Sequence, residues 1–263
     1  MISKKLFNTI GPIVLALGIA SCGGGSSSSS SGGSKVDTVE FDKASAGNIL
    51  AGLSSAGSSA TNLGSLADKA KSKVLATGVT GGKFKSLSVP CDGGGTMSFD
   101  GIDLTTGEIT NKLTIKFNKC KIEGGTYFES ATMSMTPSAN GEDFTNMSFI
   151  IGSGYATDED TGERIDYKDF NFTVDSSGNI ITMSMNGFVK ENQCFKGWLE
   201  LITLTPVKSV ESANCPTSGK FQVKGGSSSM TVTYNSDESI DVNTNGSTQH
   251  YDNCTDVPAE CKK

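Results

Sequence analysis

Hydrophobic and polar residues follow two different periods along this chain, and the change falls near Gly78. Between Val36 and Ala76, the residues Ile49, Leu53, Ala56, Ala60, Leu63, Ala67, Ala70 and Val74 recur at alternating spacings of four and three, which sets them on one helical stripe. Gly52, Gly57 and Gly64, with many serines, weaken that helix, each glycine by about 1 kcal/mol relative to alanine. The stretch therefore predicts one broken helix or two short ones, held only where the thin apolar stripe docks. After Gly78 the period is two. Met97 and Phe99 alternate with Ser98, and Leu113, Ile115 and Phe117 alternate with Thr114 and Lys116. The same alternation runs through Phe170, Phe172 and Val174, through Ile181, Met183 and Met185, and through Phe221 and Val223. It recurs at Met230, Val232 and Tyr234, and at Ile240 and Val242. Such alternation marks antiparallel strands with one dry face and one wet face. Turn pairs separate the runs: Thr106-Gly107, Gly124-Gly125, Asn140-Gly141, Thr161-Gly162, Ser177-Gly178 and Gly225-Gly226. The predicted fold is mostly β, an antiparallel meander of hairpins forming a curved half-barrel or a sandwich. The helical segment, residues 35–78, packs on the β domain of residues 79–263.

The N-terminal segment has a different logic. Lys4 and Lys5 precede an apolar run from Leu6 to Ile19, interrupted only by Asn8 and Thr9. Fourteen residues are short for a membrane span, so residues 1–21 read as a signal peptide. The segment Ile19-Ala20-Ser21-Cys22 resembles the lipobox of bacterial lipoproteins. That resemblance implies cleavage before Cys22, a diacylglycerol on its thiol and a further acyl chain on its amine. Two or three chains hold firmly at about 0.8 kcal/mol per buried methylene. Gly23, standing where an aspartate would favour the inner membrane, points to the outer membrane. Residues 23–34 are glycine and serine alone, a composition that behaves as a flexible tether. The predicted membrane partner is therefore reached through lipid on Cys22.

Charge removes one class of partner. The chain is acidic, with a net charge of −6 and a pI near 4.9, and the cluster Lys116, Lys119 and Lys121 reads as a wet strand face. Nucleic acid, which demands clustered positive charge, is not expected.

Six cysteines remain beyond Cys22, an even number in an exported chain, which favours a disulfide framework over a metal site. Fifteen pairings are open to six cysteines. Cys91 and Cys120 lie symmetrically about the Thr106-Gly107 turn, and Cys194 and Cys215 about Pro206, which leaves Cys254 to Cys261. "CDGGGTMSFDG" from Cys91 and "CPTSGKFQVKG" from Cys215 share a Cys–Gly–hydrophobe–Gly spacing, a weak internal repeat compatible with duplication or with coincidence. "CFKGW", from Cys194, together with "CPTSG" is similar to stretches of uncharacterised secreted bacterial β-rich lipoproteins, a resemblance that implies no activity.

Catalytic chemistry finds little support. His250 is the only histidine, so a Ser-His-Asp or Cys-His arrangement has one candidate base, set in the polar stretch "STQHYDNC". Gly93 to Gly95 precede a strand and lack the helix N-terminus of a phosphate loop. "DEDTGERID", from Asp158, lacks the spacing of an EF-hand and reads as an acidic hairpin tip. Neither a catalytic residue, a metal ligand nor a cofactor is predicted. Apart from Met1, every methionine lies where the alternation points inward: Met97, Met133, Met135, Met147, Met183, Met185 and Met230. Methionine suits irregular gaps and adaptable binding surfaces alike. These seven are core filler or, in the alternative, the lining of a cavity for an apolar ligand; Trp198 reads as a core anchor. The expected function is that of a tethered structural or interaction module binding a protein partner, the alternative that of an apolar-ligand carrier.

Overall fold

The computed structural model describes residues 38–41, 87–103, 108–122, 125–138, 144–157, 162–192, 194–210, 213 and 215–256. Twelve strands follow one another: β1 (Leu87–Pro90), β2 (Thr96–Asp103), β3 (Glu108–Ile122), β4 (Thr126–Pro137), β5 (Phe144–Thr157), β6 (Arg164–Ser177), β7 (Ile180–Glu191), β8 (Phe195–Val210), β9 (Ser218–Gly225), β10 (Ser228–Tyr234), β11 (Ile240–Thr244) and β12 (Ser247–Tyr251). A 3₁₀ turn, Cys254–Asp256, follows. Each strand pairs antiparallel with the next, so spatial order equals chain order in one unclosed sheet whose edges are β1 and β12. All six turn pairs read from the sequence fall where one strand gives way to the next, with Ser177 and Gly225 as the last residues of β6 and β9. The helical stripe Ile49–Val74 lies outside the described residues. Of the 35–78 segment only 38–41 is described, and there Thr38 makes a parallel bridge to Trp198.

A meander sorts its connections to two ends. The β1–β2, β3–β4, β5–β6, β7–β8, β9–β10 and β11–β12 connections share one, here the entry end, because Thr38–Phe41 docks there. Val39 N–H donates to the Trp198 carbonyl, Phe41 N–H to Ser228 Oγ, and Asn245 Nδ2 to the Phe41 carbonyl. The Phe41 side chain is buried in the core. The other connections share the far end.

One face of the sheet is dry. Its residues form transverse rows fixed by the register. Leu87, Phe99, Ile115, Met133, Phe149, Phe172 and Met185 stand opposite one another from β1 to β7. Towards the entry end the face becomes aromatic. The rings of Phe117, Phe128 and Phe149 lie 5.2 to 6.3 Å apart in tilted and edge-on pairs, each such pair adding about 0.5–1.5 kcal/mol to its area burial. The opposite face is polar and wet, carrying Lys112, Lys116, Asn118 and Lys121 on β3, as alternation predicts.

Alternation fails along a crease that crosses β3 to β8. On β3 the buried set runs Leu113, Ile115, Phe117 and then shifts to Cys120 and Ile122, with Lys119 between them at φ 49°. On β4 it passes from Phe128 to Ala131, where the register with β5 slips at Ser130. On β6 it runs Ile165, Tyr167 and then Phe170, with Asp169 at φ 47°. Gly187 on β7 meets this bulge at φ 125°, where a Cβ would lie 2.3 Å from the Asp169 carbonyl oxygen, so only glycine fits. The register between β8 and β9 slips again after Thr203. Bulges bend and twist a sheet locally, and this line of them crosses the middle of the sheet from β3 to β8.

Disulfides close both ends. Cys91–Cys120 ties β1 to β3 at the entry end, as predicted. The other predicted bridges are corrected: Cys215 bonds Cys254, 39 residues on, so neither Cys194–Cys215 nor Cys254–Cys261 forms. The meander itself explains the difference. Gly219, Tyr234, Ile240 and Tyr251 share one row at the far end, which returns the chain after β12 to the loop before β9. Cys194 emerges from β7 at the entry end, the long β8 away from Cys215. It is nonetheless disulfide-bonded, to a partner outside the described residues. Cys91 and Cys215 also stand at opposite ends, leading into strands that run in opposite directions, β2 and β9.

Candidate functional site

Methionine placement is the most distinctive feature of the dry face. Met135, Met147 and Met183 occupy one row, Leu113–Met135–Met147–Val174–Met183–Val207, and Met133 and Met185 stand in the next row towards the entry end. Five of the seven inward methionines thus fall on three strands, β4, β5 and β7, with Phe172 and Val174 of β6 set among them. Met97 lies beyond them on β2 and Met230 on β10. Met133 and Met230 are fully buried, Met135 and Met183 nearly so, and Met185 is half-buried against the core. The Met185 backbone is pinned by Thr203, whose hydroxyl accepts from its N–H at 2.7 Å and donates to its carbonyl at 2.8 Å. Such a face can hold apolar groups by dispersion and hydrophobic transfer, since the side chains of these two rows are apolar throughout.

His250 sits on the other side of the molecule, exposed on the edge strand β12. Its Nδ1 is 2.7 Å from Asp241 Oδ1 and its Nε2 is 3.5 Å from Asp252 Oδ1. Asp241 also accepts from Asn235 Nδ2 at 3.1 Å, while Asp237 accepts from the Ser239 hydroxyl at 2.6 Å. The hydrogen bond to Asp241 raises the His250 pKa above its ordinary value, and the same bond lowers that of Asp241. The Ser239 hydroxyl lowers Asp237. Among the described residues the imidazole is paired with the carboxylates of Asp241 and Asp252, the arrangement of a charge network. The raised His250 value means that its pairing stabilises below the unfolded pKa of about 6.5 and fades as pH rises through the folded value. The lowered Asp241 value stabilises above about 3.9 and fades as pH falls through the folded value. An NMR titration is expected to place His250 above 6.5, and Asp241→Asn to bring it down. A His250 pKa unchanged by D241N would contradict the pairing.

The remaining candidates resolve as turns or ion pairs, and Trp198, expected as a core anchor, is instead half-buried beside buried Leu199, outside the core. Gly93 N–H donates to the Lys121 carbonyl and Lys121 N–H to that of Gly94, so the triple-glycine backbone is engaged with β3. Of "DEDTGERID", residues 158–161 lie outside the described residues, as do Cys22 and Cys261. Arg164 and Asp166 of that stretch pair with each other, Nη2 to Oδ1 at 2.6 Å. Among the described residues no three His, Cys, Asp or Glu side chains are grouped to hold a metal ion, and no helix is long and apolar enough to cross a membrane.

Two features escaped the sequence reading. Glu191 is fully buried and accepts the N–H of Cys194. On the wet face at the entry end, Lys121, Tyr127, Tyr155, Asp166 and Lys190 line up across five strands, β3 to β7. The Tyr127 and Tyr155 rings are 5.5 Å apart and the Arg164 guanidinium lies 3.8 Å over Tyr155. Isolated tyrosines in β4 and β5 carry no sequence signal for this row, because the register that aligns them is set by pairing alone. Comparison with models of known protein families finds no match, and comparison with curated proteins finds none either.

Proposed function

We propose that the chain is an exported lipoprotein, held to the bacterial outer membrane by acyl chains on Cys22, and that its disulfide-bonded sheet acts as a structural or interaction module without catalysis of its own. The observation that carries this reading is cysteine usage. Cys91, Cys120, Cys194, Cys215 and Cys254 are all in disulfides, as expected of a domain that matures in an oxidising compartment, while Cys22 ends an apolar run in a lipobox-like sequence. Replacing Cys22 with serine is expected to abolish palmitate labelling and to release the protein from the membrane fraction. Labelling that survives the substitution would refute the anchor.

The methionine rows favour a second reading, a carrier of an apolar ligand. Flexible, polarisable side chains concentrated on β4, β5 and β7 suit an adaptable apolar surface better than a single rigid shape. A fluorescent fatty acid that binds the protein and raises its melting temperature would support this reading.

A further inference from the structure

We infer that the entry end of the sheet faces the lipid bilayer, and that the band Lys121, Tyr127, Tyr155, Asp166 and Lys190 lies against the headgroups. This rests on the anchor at Cys22. Two independent features of the fold carry it.

The first is reach. Thr38 bridges Trp198 in parallel with β8, so the backbone at Thr38 directs its N-terminal side out of the entry end. Fifteen residues, 23–37, separate Cys22 from Thr38, and a glycine–serine-rich chain of that length is expected to span about 21 Å root-mean-square. The 16 residues of β8 run about 50 Å towards the far end at about 3.3 Å each. The far end therefore stands more than two tether spans from the point of attachment.

The second is chemistry. Tyrosine and tryptophan rings concentrate at membrane–water interfaces, and lysine and arginine are drawn to anionic headgroups. Tyr127 and Tyr155 stand half-buried side by side with Lys121 exposed on one flank and Lys190 on the other. Arg164 stacks on Tyr155 and pairs with Asp166, and the Tyr127 hydroxyl donates to Glu129, so the band and the charged groups bonded to its rings hold Lys121, Lys190 and Arg164 against Asp166 and Glu129. Trp198 continues the band on β8, one residue before Leu199, which pairs with Val189. At the far end Asp237 and Glu238 turn β10 into β11, and Asp252 and Asp256 follow β12, with no tyrosine–lysine band of this kind among the described residues of that corner.

Trp198 is the only tryptophan, so it reports directly. The full acylated protein is reconstituted in phosphatidylcholine–phosphatidylglycerol vesicles in which a fraction of headgroups carries a nitroxide quencher. Trp198 fluorescence is expected to fall by about half, and that of the W198F/S236W variant, with its indole in the β10–β11 turn, to change by less than a fifth. Equal or stronger quenching in W198F/S236W would overturn the orientation. The outer-face variants Y127S/Y155S and K121E/K190E, checked for native melting, are expected to lose at least half of the Trp198 quenching; full quenching in both would overturn the band. Intact mass of the same preparation reads the acyl chains. Bare Cys22 removes the anchor and this inference together, whereas acylated Cys22 with equal quenching at both ends removes the orientation alone.

Discussion

Changing Met133 and Met183 together to glutamine is expected to destabilise the domain by about 6 kcal/mol, enough to unfold most of the population at moderate temperature. Met133 is 0% exposed and Met183 2%. Each substitution replaces a buried thioether with an amide for which the surrounding Ile115, Phe149, Val174 and Val207 offer no partner. Lost apolar burial together with an unsatisfied buried amide costs about 3 kcal/mol per site. The two sites stand on β4 and β7, three strand spacings apart, so the effects should add. Against a total stability of about 5–15 kcal/mol the sum is large. Urea unfolding measures it. A double variant that loses less than about 2 kcal/mol would mean that water or a ligand already solvates these positions, which is the behaviour of a cavity wall. That outcome, joined to loss of fatty-acid binding, would move the protein from interaction module to carrier.

Removing the Cys215–Cys254 bridge with paired alanines is expected to lower stability by about 4 kcal/mol, since a loop of 39 residues is then no longer closed in the unfolded chain. For a domain of this size the melting temperature should fall by about 8–16 °C. The loss should also be local. The bridge holds the segment after β12 against the β8–β9 loop, and β12 is an edge strand with four of its five residues exposed. Freed from that tie, β11 and β12 should exchange amide hydrogens faster than β4 to β6, which pair on both sides. Hydrogen exchange followed by mass spectrometry tests this. Unchanged protection in β11 and β12, with an unchanged melting temperature, would show that the bridge is redundant with the sheet's own pairing.

Much of this architecture was legible before any coordinates. A period of two at Leu113–Ile115–Phe117, at Phe170–Phe172–Val174 and at Met230–Val232–Tyr234, with glycine or asparagine turns between the runs, specifies antiparallel strands and their dry face. Side chains on a pleated strand alternate strictly, and turn residues admit few conformations. Cys91 and Cys120 flank one hairpin, and a hairpin's ends meet whatever the rest of the chain does. The candidate face was legible for the same reason, since each methionine's direction follows from its own strand.

Tertiary pairing decided the rest. Carried on from Phe117, strict alternation would put Lys119 and Lys121 inside and Cys120 outside. The bulge at Lys119 reverses them, and a second at Asp169 does the same for Tyr167 and Ile165. Neither residue is a glycine, so nothing local announces a left-handed backbone there. It is held by what neighbouring strands require: a ring cluster of Phe117, Phe128 and Phe149 on one side, and a backbone approach that only Gly187 permits on the other. The partner of Cys215 was equally hidden, because symmetry about a turn ranks cysteines by separation along the chain, whereas β9 to β12 bring Cys254 back across the sheet. The methionine rows and the tyrosine–lysine band depend on register across four or more strands. Alternation along the sequence sets the face of each residue between bulges, because side chains on a pleated strand point alternately to either side, and only the pairing of each strand with the next decides where the bulges fall and which residues become neighbours.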